Sequence, residues 1–129
     1  MSDTRPKPRS LLGAYKDLVV WQKGIALVKR TYQITRLFPD DERFGLMSQM
    51  RRAAVSIPSN IAEGQARRTR GEFLQSLSHA EGSVAELDTQ FIISIELGHC
   101  THEEATDAFG LIEELCKMLN ALRRTLASR

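Results

Sequence analysis

A chain of 129 residues with 42% hydrophobic and 26% charged side chains has the composition of one globular domain with a single core, and this excludes the disordered and membrane classes. No apolar run approaches the roughly 20 residues of a membrane span, and the opening MSDTRPKPRSLLG lacks the apolar stretch of a secretory leader. A cytoplasmic protein with no membrane partner is expected, and Cys100 and Cys116, too few for a disulfide framework, read as free thiols.

Residues 1–14 read as a flexible basic tail carrying Arg5, Lys7 and Arg9, which leaves 15–129 as the folded domain. From about Asp17 to Phe38, one apolar stripe (Leu18, Trp21, Ile25, Val28, Tyr32) steps by three and four. A second stripe of Val20, Leu27, Ile34 and Phe38 lies beside it, so this helix is expected to be covered from two sides. Pro39, followed by two aspartates, stops it.

The next helical pattern runs from about Phe44 to Arg68, burying Leu46 or Met47, Met50, Ala53 or Ala54, Ile57 and Ile61. Pro58 falls in its middle, offers no N–H to the carbonyl of Ala54 and pushes that carbonyl away, so a kink or a break is expected. Ser56, Ser59 and Asn60 are suited to satisfying the backbone groups so freed. Asn60 with Glu63 is also the start signal of a separate short helix, but the apolar spacing that continues through Pro58 favours one kinked helix. On a structural reading, Asn60 and Glu63 serve backbone or neighbouring helices and Gly64 permits close packing. The functional reading makes Glu63 part of a subunit contact or a site.

Thr69 with Glu72 is a capping box that opens a third helix, and Gly98 suits the left-handed position that closes it. Between them run Phe73, Leu77, Ala80, Val84, Leu87 and Phe91, and the closing FIISIEL is apolar nearly all round, which implies burial on more than one face. A second capping box, Thr101 with Glu104, precedes the seam Ala105, Ala108, Ile112, Leu115, Leu119, Leu122 and Leu126. Short connections between four such helices predict an all-α fold, an antiparallel up-down-up-down four-helix bundle with a Pro-kinked second helix.

Catalysis finds no support: the chain has three histidines and neither a Gly-rich phosphate loop nor a nucleophile elbow, so a protein with no enzymatic activity and no cofactor is expected. Glu81, Glu86 and Asp88 read as a solvated or intersubunit face. His99, Cys100 and His102, with Cys116, are suitable metal-ligand types, but their spacing fits no established zinc pattern and no metal site is expected.

Charge is divided along the chain. Residues 1–70 hold 14 Lys and Arg against 6 Asp and Glu, whereas residues 71–129 hold 4 against 10, and no Lys or Arg occurs from Gly71 to Cys116. Such a division means either a basic surface for a polyanion or basic helices pairing with acidic ones. The candidates for phosphate contact are Arg51, Arg52, Arg67, Arg68 and Arg70, with Lys16, Lys23 and Arg30 recurring every seventh residue in the first helix. Arg123 and Arg124 read as complements to a helix C-terminus. No aromatic is seen beside the arginines, so base stacking is not expected.

The strings DLVVWQKG, FPDDERFGLMSQMRRAAVSIPSNIAEGQAR and EFLQSLSHAEGSVAELDTQ resemble a bacterial family of four-helix-bundle proteins encoded in intervening sequences of large-subunit ribosomal RNA genes. The resemblance covers nearly everything from Asp17 onward and is specific mainly through QMRRAAVSIPSNIAEG and GSVAEL. Relatives of that family include the accessory variability protein of diversity-generating retroelements, a nucleic-acid-binding partner of a reverse transcriptase. The resemblance implies a barrel-like homopentamer with a basic surface for RNA or DNA and a reverse transcriptase-like protein partner. The alternative is a protein-binding scaffold with no nucleic-acid role.

Overall fold

A computed structural model describes residues 14–128 of the protein. Arg5, Lys7 and Arg9 of the expected tail lie outside the described residues; Ala14, assigned to that tail, opens a short 3-10 turn, Ala14–Asp17. Four α-helices follow: α1, Val19–Thr35; α2, Leu46–Ala66; α3, Arg70–Glu96; and α4, His102–Ala127. A second 3-10 turn, Asp40–Glu42, sits between α1 and α2, and no strand occurs among the described residues. The fold is all-α.

The helix ends follow local chemistry. Both expected capping boxes are present: the Thr69 hydroxyl accepts from Glu72 N at 3.1 Å and the Thr101 hydroxyl from Glu104 N at 3.0 Å, while each glutamate accepts from its threonine N–H. Gly98, at φ +79°, ends α3; its N–H donates to Ile95 O and that of His99 to Ser94 O, so two of the last carbonyls are satisfied. The first helix stops at Thr35, earlier than its apolar pattern, because Pro39 disfavours helical dihedrals at Phe38, which turns back into the core instead.

Each helix packs on two neighbours, α1 on α2 and α4, α3 on α2 and α4, around a core that includes Leu27, Met50, Ile57, Leu77, Leu87, Phe91, Leu115 and Leu119, all fully buried. The stripe of α1 that faces this core is Val20, Leu27 and Ile34, joined by Gly24, Thr31 and Thr35. Buried threonines cost little here, because Thr31 Oγ1 donates to Leu27 O and Thr35 Oγ1 to Thr31 O, both at 2.7 Å. The other stripe is only half covered: Trp21, Ile25 and Val28 line an open groove against Val55, Pro58 and Ala62 of α2. Two neighbours, α2 and α4, thus cover α1 as expected, and this second stripe is left half-buried along the α2 side.

The second helix is continuous through Pro58, and no separate helix starts at Asn60. Asn60 Nδ2 donates to Ser56 O at 2.8 Å, and the Ser56 and Ser83 hydroxyls meet across the α2–α3 seam. Pro58 is buried against Gly24 of α1. The pairings across helices run in opposite order along the chain: Thr35 meets Arg51 and Gly24 meets Pro58, and Gly64 lies against Phe73 while Met50 meets Ser94.

Candidate nucleic-acid interface

The basic residues singled out by sequence divide into three groups. Lys23 and Arg30 turn toward α4, where Lys23 Nζ lies 3.2 Å from Glu114 Oε2 and Arg30 donates to Glu104 O at 2.9 Å and to Gln33 Oε1 at 3.1 Å. These two serve helix pairing, which accounts for part of the charge division. Lys16, the first of that heptad series, is exposed in the 3-10 turn before α1.

A second group, Arg67, Arg68 and Arg70, sits at the α2–α3 connection and is exposed. Arg67 pairs with Glu63 one turn back along the helix. Arg68 has no hydrogen bond or ion pair among the described residues. Glu63 is thus drawn to the Arg67 side chain, where the structural reading has it serve backbone groups or a neighbouring helix, and Gly64 is buried against Phe73 and Ser76.

The third group lies near the start of α2, about 22 Å from Arg67 at 1.5 Å per residue. Arg51 is held by donation from Nε to Thr35 Oγ1 at 2.9 Å and from a terminal nitrogen to Tyr32 O at 3.4 Å, which satisfies carbonyl and hydroxyl groups at the C-terminal end of α1. Its guanidinium lies over the Tyr32 ring, 4.4 Å from the centroid. Arg52 is exposed and has no partner among the described residues. Arg43, a residue that sequence reasoning passed over, lies over the Phe44 ring at 5.5 Å. The expectation that no aromatic accompanies the arginines is thus corrected: helix pairing brings Tyr32 of α1 beneath Arg51 of α2, and the connecting segment places Phe44 beside Arg43. A groove runs between these groups, and no carboxylate lines it.

The connection that carries Arg43 and Phe44 is anchored. Glu42 Oε1 accepts from Leu46 N at 3.1 Å, capping an α2 whose N-cap residue, Gly45, has no side chain to do so. His99 Nε2 bonds the other oxygen, Glu42 Oε2, at 2.8 Å, while the His99 ring tilts against Phe38. The hydrogen bond from His99, helped by that from the Leu46 N–H, holds the Glu42 carboxyl below its ordinary value. A depressed carboxyl pKa stabilises the fold fully above the ordinary carboxylate range, and that contribution is lost as pH falls through the lowered value. Glu42→Gln is accordingly expected to reduce stability at neutral pH and to flatten the acid limb of the stability profile, as read by denaturant titrations at successive pH values. An unchanged acid limb would count against the clip.

His99 is thereby drawn to Glu42, and His102 stacks on Phe109 with ring centroids 5.7 Å apart. Among the described residues, no group of three or more His, Cys, Asp or Glu is placed to hold a metal ion. Both thiols are free, Cys100 buried and Cys116 exposed, and desolvation raises both above the ordinary thiol value, which disfavours the reactive thiolate. Arg123 reaches Glu81 and, at 2.7 Å, Ser78 Oγ of α3, so it pairs across helices instead of complementing its own C-terminus, and Glu81 is half-buried instead of solvated.

A small all-α protein of four helices, with arginines gathered at the two ends of its second helix, is the class that fold and surface define. The chain belongs to the 23S rRNA-intervening sequence protein family, whose model matches residues 16–121. A comparison with curated proteins finds no match. No helix among the described residues is long and apolar enough to cross a membrane.

Proposed function

We propose that this chain is a non-enzymatic, oligomeric member of its family that binds nucleic acid through phosphate contacts, its helices running antiparallel, up-down-up-down, with α2 bent at Pro58. The reversed order of cross-helix partners supports the antiparallel course. Burial of Pro58 against Gly24, with no N–H for the Ala54 carbonyl, supports the bend.

The observation that carries the binding surface is that Arg52 and Arg68, at opposite ends of α2, are exposed without partners, each beside further arginines. A planar guanidinium donates two parallel hydrogen bonds to a phosphate, and phosphate contacts need no base reading. Assembly is supported by Ile92, Ile93 and Leu97, exposed near the end of α3, and by the half-covered stripe of α1, since apolar surface of this kind marks interfaces. The homopentamer that the family resemblance implies multiplies the arginine contacts into avidity.

Fluorescence anisotropy with RNA over a salt series tests the proposal. Replacing Arg52 and Arg68 together by Glu is expected to weaken binding to any sequence and to flatten the log-log salt slope by roughly 0.7 per lost contact for single strands and 0.9 for duplex. Folding is expected to hold, because exposed charges contribute little to stability. If the wild-type protein fails to bind RNA or DNA at low salt, the nucleic-acid reading falls and a protein-binding scaffold replaces it. Light scattering that gives the mass of one chain at micromolar concentration removes the oligomer.

A further inference from the structure

The groove beside Phe44 shows more than phosphate chemistry. Phe44 is 89% exposed, the most exposed large apolar side chain among the described residues, and it stands in a connection that Glu42 fastens both to Leu46 N and to His99. A large apolar ring held in water on an anchored segment loses solvation free energy with no packing gain, which a floppy loop would avoid by folding it inward. Arg43 lies along one side of this ring at 5.5 Å, and Arg51 stays fixed over Tyr32 by its bonds to Thr35 and Tyr32 O. Arg52 adds an unpartnered guanidinium, and Met47 and Val55 supply apolar wall between the charges.

Resting on the nucleic-acid reading above, we infer that this groove holds an unpaired base of single-stranded RNA or DNA, stacked on Phe44, with the flanking phosphates on Arg43 and Arg52. An aromatic face beside guanidinium groups is the arrangement by which proteins hold single strands, because every base has a π-face and every linkage a negative charge. Duplex cannot use it, since its bases are stacked on each other and offer only edges and phosphates. Charge complementarity selects this occupant: three arginines and no carboxylate line the groove, the nearby Glu42 carboxylate being engaged by Leu46 N and His99. A second copy meeting this face with the same face would bring like charges together.

Phe44 then adds to the protein a preference for single strands that the arginines alone do not give. The test compares Phe44→Ala, Phe44→Leu and Phe44→Trp for binding an unstructured oligouridine and an RNA duplex, with circular dichroism and light scattering on each variant. Phe44→Ala and Phe44→Leu are expected to lose about tenfold in affinity for oligouridine, the scale of one stacked base, and nothing for duplex; Phe44→Trp is expected to retain wild-type affinity. If Phe44→Ala binds oligouridine as the wild type does, stacking is overturned while the phosphate reading stands. If the wild type binds neither probe, both fall together. A changed mass for Phe44→Ala makes Phe44 a contact between copies, and equal losses for the Trp and Leu variants make it a shape-fitted protein contact; either overturns the inference.

Discussion

Phe91→Ala is expected to lower the unfolding free energy by about 3–5 kcal/mol, among the largest effects of any single truncation in this fold. Phe91 is fully buried on α3, with its ring 5.9 Å from that of Phe109 on α4 in an edge-on arrangement. Truncation removes the transfer free energy of the ring, the contact with Phe109, and the support of the surrounding core, which cannot close over the void. Small domains hold about 5–15 kcal/mol in all, so the variant is left with a thin margin. The neighbouring Ile92, exposed in the single chain and part of the proposed assembly surface, provides the contrast: its truncation opens no void in the core and is expected to lower stability only as far as it weakens assembly. Urea titrations at one fixed protein concentration, with unchanged slope, measure both, because the stability of an assembling protein depends on concentration. A loss below about 1.5 kcal/mol for Phe91→Ala would mean that the core can repack around the void.

Much of this framework was legible in the sequence, and the reasons differ by element. The ends of α3 and α4 could be read closely because their caps are side-chain chemistry written in order: Thr69 with Glu72, Thr101 with Glu104, and Gly98 at the left-handed position. The starts of α1 and α2 carry no such mark. Leu18 and Gly45 make no side-chain cap, and the carboxylate that serves Leu46 N comes from Glu42, whose orientation is fixed by His99, far along the chain.

Periodicity found both apolar stripes of α1 but could not rank them. Which stripe faces the core depends on the neighbours, and Thr31 and Thr35, polar by name, become core residues once their hydroxyls return to the carbonyls of their own helix. FIISIEL shows the same limit. Phe91 and Ser94 are buried, yet Ile92, Ile93 and Leu97 are exposed in one chain, so local apolarity reported a surface as well as a core.

The candidate site was legible as a set of arginines and illegible as a geometry. Composition along the chain located the charge, but nothing in spacing showed that Lys23 and Arg30 are used against α4 while Arg52 is left unpartnered. The aromatic component was missed because Tyr32 and Arg51 are brought together only by helix packing. Arg43 and Phe44 are adjacent in sequence, so that pair was available as a signal; it was absorbed into the expected start of a helix.

The α2–α3 seam gives an expected result in which one type of substitution takes opposite signs at two sites. Gly64 is helical and buried, and a Cβ there would lie 2.7 Å from Phe73 Cδ1 and 2.9 Å from Ser76 Cβ. Replacing a helix glycine by alanine ordinarily stabilises, by roughly 0.8–1.0 kcal/mol, because the unfolded chain loses freedom. At Gly64 the new methyl meets an atom fixed to the α3 backbone, since no rotation moves the Ser76 Cβ, so α2 and α3 must separate or Phe73 and its helix must shift. Such overpacking costs about 1–3 kcal/mol and cancels or exceeds the propensity gain. Gly64→Ala is therefore expected to be neutral to destabilising by about 2 kcal/mol, and Gly64→Val, with two more methyls and a χ1 restricted in a helix, to destabilise more strongly. Gly82, exposed on α3 with nothing within 4 Å of a Cβ, is the control, and Gly82→Ala is expected to stabilise by about 0.5–1 kcal/mol. Urea titration of the three variants reads the order directly. Equal gains for Gly64→Ala and Gly82→Ala would show that the two helices do not approach as closely as the Gly64 contact requires, and with that the seam that positions Asn60, Glu63 and the arginines beyond them would have to be redrawn.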